Sequence, residues 1–388
     1  MTPQDPTTPG PDPAAAAAPD AAPDADLASA AGNPHAAAAA PAEFDRGEVD
    51  ADLTPLLKHL LDGGTLTAEQ ATAAFEAMMT GRVHHGEIGA LLALLATRTP
   101  TAEEILGAAR VMRERVDRVP TTLDPAEIVD TAGTGGAPKT FNVSTASAIV
   151  AAAGGAVVAK HGNRSRTGRG SAEVLAMLGI DIEASLETQR RCLEEAGVCF
   201  CFAPRHHPAT RHVMPVRMAL GFPTIFNLLG PLTNPAGARR QVMGVYDLRF
   251  VRPIAEALAA LGAERALVVH SEDGLDEISI SAPTHAAWVE HGRVREATIE
   301  PRELGMSFSS REAVTARDLE HAATMVREVI DGRETGAPRK MTLLAAAATL
   351  VVADRAGTLE EGLGLAAEAI DSGRASATLA ALAELSRG

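Results

Sequence analysis

Aromatic side chains are scarce in this 388-residue chain: one Trp, one Tyr and nine Phe make up 3% of it. Basic charge is also short, with 35 Lys and Arg against 50 Asp and Glu and a formal net charge of −15. These two shortages argue against nucleic-acid binding, which draws on a positive field for phosphates and aromatic faces for bases. Cysteine is limited to Cys192, Cys199 and Cys201, with no CxxC and no paired framework, so the chain reads as a cytoplasmic protein with reduced thiols. No apolar run approaches the roughly 20 residues of a membrane helix. The best, Ala148 to Ala159, contains two glycines. The 46% hydrophobic and 22% charged content is ordinary for a soluble enzyme. The length corresponds to two or three domains with ample core.

Residues 1–43 contain 17 Ala, 9 Pro and six acids, with no Lys or Arg. Proline breaks any long Ala helix and little apolar bulk offsets ordering entropy, so 1–48 is read as a disordered tail. It has neither the basic start and apolar stretch of a secretory signal nor the arginines of a transit peptide. Removing the six negative charges of residues 1–43 from −15 leaves −9 for the remainder. A translation start at Val49, from a GTG codon, would remove the tail altogether.

Residues 49–120 read as a small α-helical domain, extended by helices from about 208–228. Leu53, Leu56, Leu57, Leu60 and Leu61 recur at helical spacing. Thr67-Ala-Glu-Gln70 and Thr101-Ala-Glu-Glu104 are capping boxes opening apolar runs. From 121 to 388 strands alternate with helices, which predicts an α/β domain with a mainly parallel central sheet and helices on its faces. Strands are expected at Glu127–Asp130, Ala156–Ala159, Val198–Phe202 and Arg265–His270, with a hairpin of Ala286–Val289 and Val294–Ile299 around His291-Gly292. Helices are expected at Val143–Ala153, Ser171–Leu178, Ser185–Ala196, Arg252–Leu261, 317–330, 340–353 and 359–386, the last broken near Gly373. No internal repeat is evident.

Three loops carry chemistry. Asp130-Thr-Ala-Gly133-Thr-Gly135-Gly136-Ala-Pro138-Lys139-Thr140 joins the first strand to a helix. Pro138 stands where a P-loop or a dinucleotide fingerprint requires glycine, so neither motif is complete. What remains is a glycine turn before Asn142, Ser144 and Thr145 at a helix start, either an anion site or a plain tight turn with an N-cap. Lys160-His-Gly-Asn-Arg-Ser-Arg-Thr-Gly-Arg169-Gly-Ser171 puts four cations in ten residues at a strand's C-terminal end, as a phosphate site or a solvated basic loop. Asp276 and Glu277 follow the strand ending at His270 and are of the type that binds Mg²⁺, although most acidic loops are only solvated. Together the three describe a Mg²⁺–pyrophosphate site. His206, His207 and His212 lack a zinc spacing with Cys199 and Cys201, and no serine sits in a nucleophile elbow.

Gly133-Thr-Gly-Gly136, Asn142-Val-Ser-Thr145, Lys160-His-Gly-Asn-Arg164, His207-Pro-Ala, Phe226-Asn-Leu-Leu-Gly-Pro-Leu-Thr-Asn-Pro235 and Asp276-Glu277-Ile-Ser279 follow in the order seen in the anthranilate phosphoribosyltransferase family. The chain resembles that family, within the nucleoside phosphorylase and class IV phosphoribosyltransferase fold, from about residue 52 to its C-terminus. The resemblance implies transfer of phosphoribose from 5-phosphoribosyl diphosphate (PRPP) to anthranilate in tryptophan biosynthesis, two Mg²⁺ ions, and a homodimer formed through the helical domain, with no nucleic acid and no membrane. It assigns PRPP to Gly133, Gly136, Ala137, Thr140, Asn142, Val143, Ser144, Thr145, Lys160, His161, Gly162, Asn163, Arg164, Ser165, Arg166, Thr167, Gly168 and Ser171. It assigns anthranilate to Gly133, Asn163 and Arg217, and the metal to Ser144, Asp276 and Glu277. His161 is the candidate catalytic group, either accepting the amine proton or orienting the substrate.

Three departures from the family pattern stand out. Ala137 replaces the usual Asp in a loop one residue shorter, the segment from Lys160 to Ser171 is also one residue shorter, and Ala345 stands where Asn is common. Lys139 is expected to supply phosphate contacts in the shortened loop. The competing readings are a pyrimidine nucleoside phosphorylase and a non-catalytic nucleic-acid-binding paralogue. The Lys160–Arg164 and Asn227–Pro231 motifs argue against the first, and the net charge against the second.

Overall fold

The computed structural model describes residues 49–138, 140–165 and 168–388. The expected tail over 1–48 lies outside the described residues, as do Lys139, Arg166 and Thr167.

Four helices come first: α1 (Thr54–Leu61), α2 (Ala68–Met79), α3 (His85–Ala96) and α4 (Ala102–Glu114). Both capping boxes form, with Thr67 and Gln70 closing α2 and Thr101 and Glu104 closing α4. Phe75, Met78, Leu91, Leu92, Leu95 and Ile105 are fully buried between them. Each contributes about 1.5–3 kcal/mol of burial.

The chain then alternates β1 (Ile128–Gly133), α5 (Val143–Ala153), β2 (Val157–Gly162), α6 (Ser171–Met177), α7 (Leu186–Ala196) and β3 (Val198–Phe202). Three short helices follow, α8 (Ala203–His206), α9 (Met214–Leu220) and α10 (Ile225–Leu229). Next come β4 (Arg240–Gly244), α11 (Val251–Ala260), β5 (Arg265–Ser271), β6 (Thr284–Glu290) and β7 (Arg293–Ile299). The chain closes with α12 (Leu319–Ile330), α13 (Ala337–Val352), α14 (Leu359–Asp371) and α15 (Arg374–Leu385). Gly373, at φ +79°, separates the last two helices.

One seven-stranded sheet runs in the order β3-β2-β1-β4-β5-β6-β7. The first five strands pair in parallel, and β6 and β7 are antiparallel additions. The structure is therefore a small helical part with a larger α/β part, as the strand–helix alternation predicts. β3 is buried along its whole length, as expected of a parallel strand covered on both faces. The edge strand β7 exposes Arg293, Arg295 and Glu296, which discourages further pairing.

Three strands stand apart from expectation. β1 and β2 each extend three residues further, so Asp130 to Gly133 and Lys160 to Gly162 belong to strands rather than loops. β4 has no counterpart in the sequence reading, yet it pairs with β1 over five residues at the sheet's centre. Its opening Arg240-Gln241 carries no strand pattern, and neighbours on both sides supply its stability.

Val213 and Val216 of the segment around α9, and Ile225 and Phe226 of α10, belong to the same apolar cluster as α2–α4. Phe75 and Phe226 meet with ring centroids 5.6 Å apart. Arg113 of α4 bridges to the α/β part, donating to the Leu232 and Leu261 carbonyls at 2.7 and 3.2 Å. Burial lowers its pKa to about 10, which leaves it charged at neutral pH.

Candidate active site

In the parallel portion, β2 flanks β1 on one side and β4 on the other, so the order of connection reverses beside β1. Crevices at such switch points, beyond the strand C-termini, are where open α/β sheets bind ligands. A cavity of about 20 Å³, room for roughly one water-sized particle, lies there between Gly133, Ser144, Gly244, Asp276 and Glu277, with Ala345 and Thr349 of α13 on its wall. The Ala345 departure thus borders the acidic pair.

The acidic pair reaches this crevice through close backbone approach. A Cβ on Gly244 would fall 1.6 Å from the Asp276 carbonyl oxygen, and one on Gly133 would fall 3.2 Å from Asp276 Oδ2. Gly244 escapes the sequence reading, its only signal being a glycine at the end of a five-residue segment. Glu277 is pushed up to about 8 by removal from water and by the Asp276 charge, against the opposing pull of Lys160 and the Ser144 N–H. A like-charged pair held this way is relieved by a cation. Its hard oxygen donors suit Mg²⁺, which needs one or two carboxylates and completes its shell with water and phosphate oxygens. Among the described residues no cluster of three or more His, Cys, Asp or Glu is placed to hold a metal, and an Mg²⁺ site of this kind does not require one.

The glycine turn runs through left-handed Gly135 (φ +63°) and Gly136 (φ +98°), with Gly136 against the Tyr246 ring. Ala137 and Thr140 are half-buried, and the Thr140 hydroxyl donates to the Phe141 carbonyl at 2.8 Å. The helix start differs from expectation, because its N–H groups already have acceptors. Val143 N–H donates to the Phe141 carbonyl, Thr145 N–H to the Asn142 carbonyl, and Ser144 N–H to the Glu277 carboxylate. A carboxylate of the chain itself therefore lies at the positive end of α5. The Thr145 hydroxyl oxygen is buried without a partner among the described residues.

Lys160 is also placed differently from an outward phosphate contact. It is buried, and its ammonium donates to the Thr131 carbonyl at 2.5 Å and the Ser144 hydroxyl at 3.2 Å. Burial lowers its pKa to about 8 against the attraction of Asp130 and Glu277. His161 is buried beside it, with its backbone N–H donating to Asp130 Oδ1 at 3.0 Å. Asp130 in turn is raised to about 6 by complete burial, against the pull of Asn234, the His161 N–H and Lys160.

Beyond β2 the described residues of the basic turn bond to one another and to α6. Gly162 permits tight packing, since a Cβ there would fall 2.3 Å from Ser171 Oγ at the start of α6. Asn163 Oδ1 accepts from the Arg164 N–H at 2.7 Å. Arg164 lies over the Phe202 ring and pairs with Glu183 at 3.6 Å. The Ser165 and Gly170 amides donate to the Glu173 carboxylate, and Gly168 is left-handed at φ +69°. Of this turn's assigned residues, Arg166 and Thr167 lie outside the described residues. Arg217, on α9, is half-buried with its guanidinium 4.9 Å from the Phe226 ring centroid. Among the described residues no carboxylate pairs with it, and burial lowers its pKa.

The three loops therefore converge at the sheet's C-terminal edge. The glycosyl transferase family a/b-domain pattern matches residues 125–376, and the helical-bundle-domain pattern of the same family matches 54–116. An anthranilate phosphoribosyltransferase from Rubrobacter xylanophilus is 48% identical over 337 residues, covering 86% of this chain and 98% of that protein. The crystal structure of the Thermus thermophilus enzyme superposes with a TM-score of 0.79 at 40% identity, covering 86% of this chain and 99% of its own. The Saccharomyces cerevisiae enzyme in complex with PRPP and Mg superposes with a TM-score of 0.77 at 25% identity, covering 87% and 99%. The yeast enzyme in complex with 4-fluoroanthranilate gives 0.76, also at 25%, covering 86% and 98%. This chain belongs to the anthranilate phosphoribosyltransferase family.

Proposed function

We propose that the chain transfers the 5-phosphoribosyl group of PRPP to the amine of anthranilate, forming N-(5-phosphoribosyl)anthranilate and pyrophosphate, as a cytoplasmic step of tryptophan biosynthesis. The observation that carries this reading is Asp276 and Glu277 lying against the glycine turn and the α5 N-terminus, where acidic and anion-binding groups share one crevice. The donor and acceptor follow from the relatives, one named for anthranilate and one solved with PRPP and Mg.

Asp276, Glu277 and the Ser144 hydroxyl would hold Mg²⁺, two ions by analogy with the family, which would supply positive charge against that developing on departing pyrophosphate. The glycine turn and the segment from Lys160 to Gly168, with Ser171, surround the phosphate groups with backbone and side-chain donors. Arg217 takes the anthranilate carboxylate in a bidentate pair and so aims the amine at C1 of the ribose. The amine nitrogen bonds to C1 as the C1–O bond to pyrophosphate breaks, through a transition state of oxocarbenium character, and the proton the amine loses passes to the departing pyrophosphate or to water. Buried His161 serves to orient the turn that follows it. The exposed Met214, Met218 and Phe222 of the helical part support a homodimer formed through that face.

Loss of anthranilate fluorescence on adding enzyme, PRPP and Mg²⁺ tests this directly. Loss that EDTA stops, and that the Asp276→Ala/Glu277→Ala double variant does not show, is the expected result. Folded wild-type protein that leaves the fluorescence unchanged would overturn the reading.

A further inference from the structure

Arg169, in the basic turn, has no role in the site described so far, yet three segments meet at it. Its guanidinium donates to the Ala316 carbonyl. Its own carbonyl accepts from Asn142 Nδ2 at 3.3 Å, and its N–H donates to Ser165 Oγ at 3.0 Å. The Phe141 N–H, one residue before Asn142, donates to the Val314 carbonyl at 2.7 Å. These bonds close a ring: the α5 entry at 141–142, the basic turn at 169, and the segment 314–316 leading into α12.

That segment is firmly seated, because Val314 and Ala316 are buried in the main core cluster. It also reaches the acidic loop a few residues earlier, where the Ser309 N–H donates to the Ile280 carbonyl at 3.2 Å and Ser281 Oγ to the Ser309 carbonyl at 2.6 Å. One strap, residues 309–316, therefore contacts all three loops. The glycine turn and the acidic loop meet it through their own backbone or a short hydroxyl. The basic turn meets it through the Arg169 side chain, so truncating that side chain releases this turn alone.

We propose that Arg169 is a positioning residue for phosphoribosyl-donor binding: by tying the basic turn to the strap it holds that turn and the α5 entry in one geometry. The choice of donor rests on the function proposed above; the locking itself does not. The rival role for a cation in this turn is direct contact with a phosphate.

Two measurements on Arg169→Ala separate the roles. The first is steady-state kinetics with PRPP, Mg²⁺ and anthranilate. We expect the KM for PRPP to rise roughly tenfold, the loss of one charge-assisted hydrogen bond, with kcat and the KM for anthranilate little changed. Arg169→Lys, which keeps the charge and a donor, should recover part of the loss. The second is amide hydrogen exchange on enzyme without substrate. We expect faster exchange over the basic turn, at the Arg164, Ser165, Arg169 and Gly170 amides, with exchange in β3 unchanged as the mark of an intact fold. A raised KM with unaltered exchange would assign Arg169 to the phosphate and overturn the positioning role. Unaltered exchange together with unaltered KM would overturn it as well. If wild-type enzyme failed to use anthranilate, the proposed function would fall, and the exchange measurement would still decide the locking.

Discussion

His161 Nε2 lies 3.2 Å from His207 Nε2, both rings buried, and only one of the two nitrogens can carry the shared proton. The other nitrogen of His161, Nδ1, faces the Gly230 carbonyl at 3.0 Å, which only accepts. His161 is therefore the Nδ1–H tautomer, and the His207 Nε2–H donates to its Nε2. Burial, together with the neighbouring His207, His206 and Lys160, holds the His161 pKa far below its ordinary value, against the Gly230 bond. A general base needs a free lone pair and a pKa near the working pH. This ring has neither, which supports the proposed orienting role over collection of the amine proton.

The same pair makes stability depend on pH. Burial, with His206 beside it, lowers His207 to about 4, and His161 lies lower than its ordinary value too. Unfolded histidines take up protons below about pH 6.5 that the folded ones refuse. Stability from the pair is therefore complete above that value and declines as the pH falls toward 4, by up to about 1.4 kcal/mol per pH unit for each ring. Urea unfolding between pH 7.5 and 4.5 measures the slope. His207→Gln, which retains a donor to His161, should flatten it, and an unchanged slope would show that these rings do not set acid sensitivity.

Much of this architecture is legible locally, and what is not depends on distant partners. α5 and β3 fall at their expected bounds because apolar runs and flanking glycines mark them from within. Asp276 and Glu277 stand out as adjacent carboxylates after a strand. Nothing near Lys160 reveals that its ammonium turns inward to Thr131 and Ser144. Nor does the basic turn reveal that Arg169 reaches a carbonyl 147 residues away. The tight seat of Asp276 likewise needs Gly244, on a strand whose sequence lacks a strand pattern.

Arg217 is expected to act on the acceptor alone. Its guanidinium sits over Phe226 with no carboxylate partner among the described residues, on α9 of the helical part. Arg217→Ala should raise the KM for anthranilate by roughly tenfold to a hundredfold, the range for a lost charged hydrogen-bond pair, with little change for PRPP. Arg217→Lys should recover little, because an ammonium reproduces neither the fork nor the flat contact with the ring. Equal rises in both Michaelis constants would place Arg217 at the donor or show a general disturbance of the fold.

Glu104 should be the most costly single carboxylate in the helical part. It is fully buried at the third position of α4, where it completes the Thr101 capping box. Its carboxylate accepts from the Leu66 N–H at 2.8 Å, the Thr101 N–H at 2.8 Å and the Arg98 guanidinium. Burial opposes its ionisation, but Arg98 and the two amides outweigh that and keep its pKa below the ordinary value. Glu104→Ala leaves two amides without an acceptor and takes the carboxylate from a partly buried guanidinium that keeps only the Thr99 carbonyl, a loss of about 3–5 kcal/mol by analogy with broken buried pairs. Glu104→Gln keeps an acceptor oxygen and should cost less. Because the folded pKa is depressed, this contribution is present above the unfolded value and fades as the pH falls through the folded one. Thermal unfolding at pH 7 and at pH 4 checks both points: the gap between wild type and Glu104→Gln should narrow at the lower pH. An equal gap at both would mean that shape, not charge, holds the corner between Leu66 and α4.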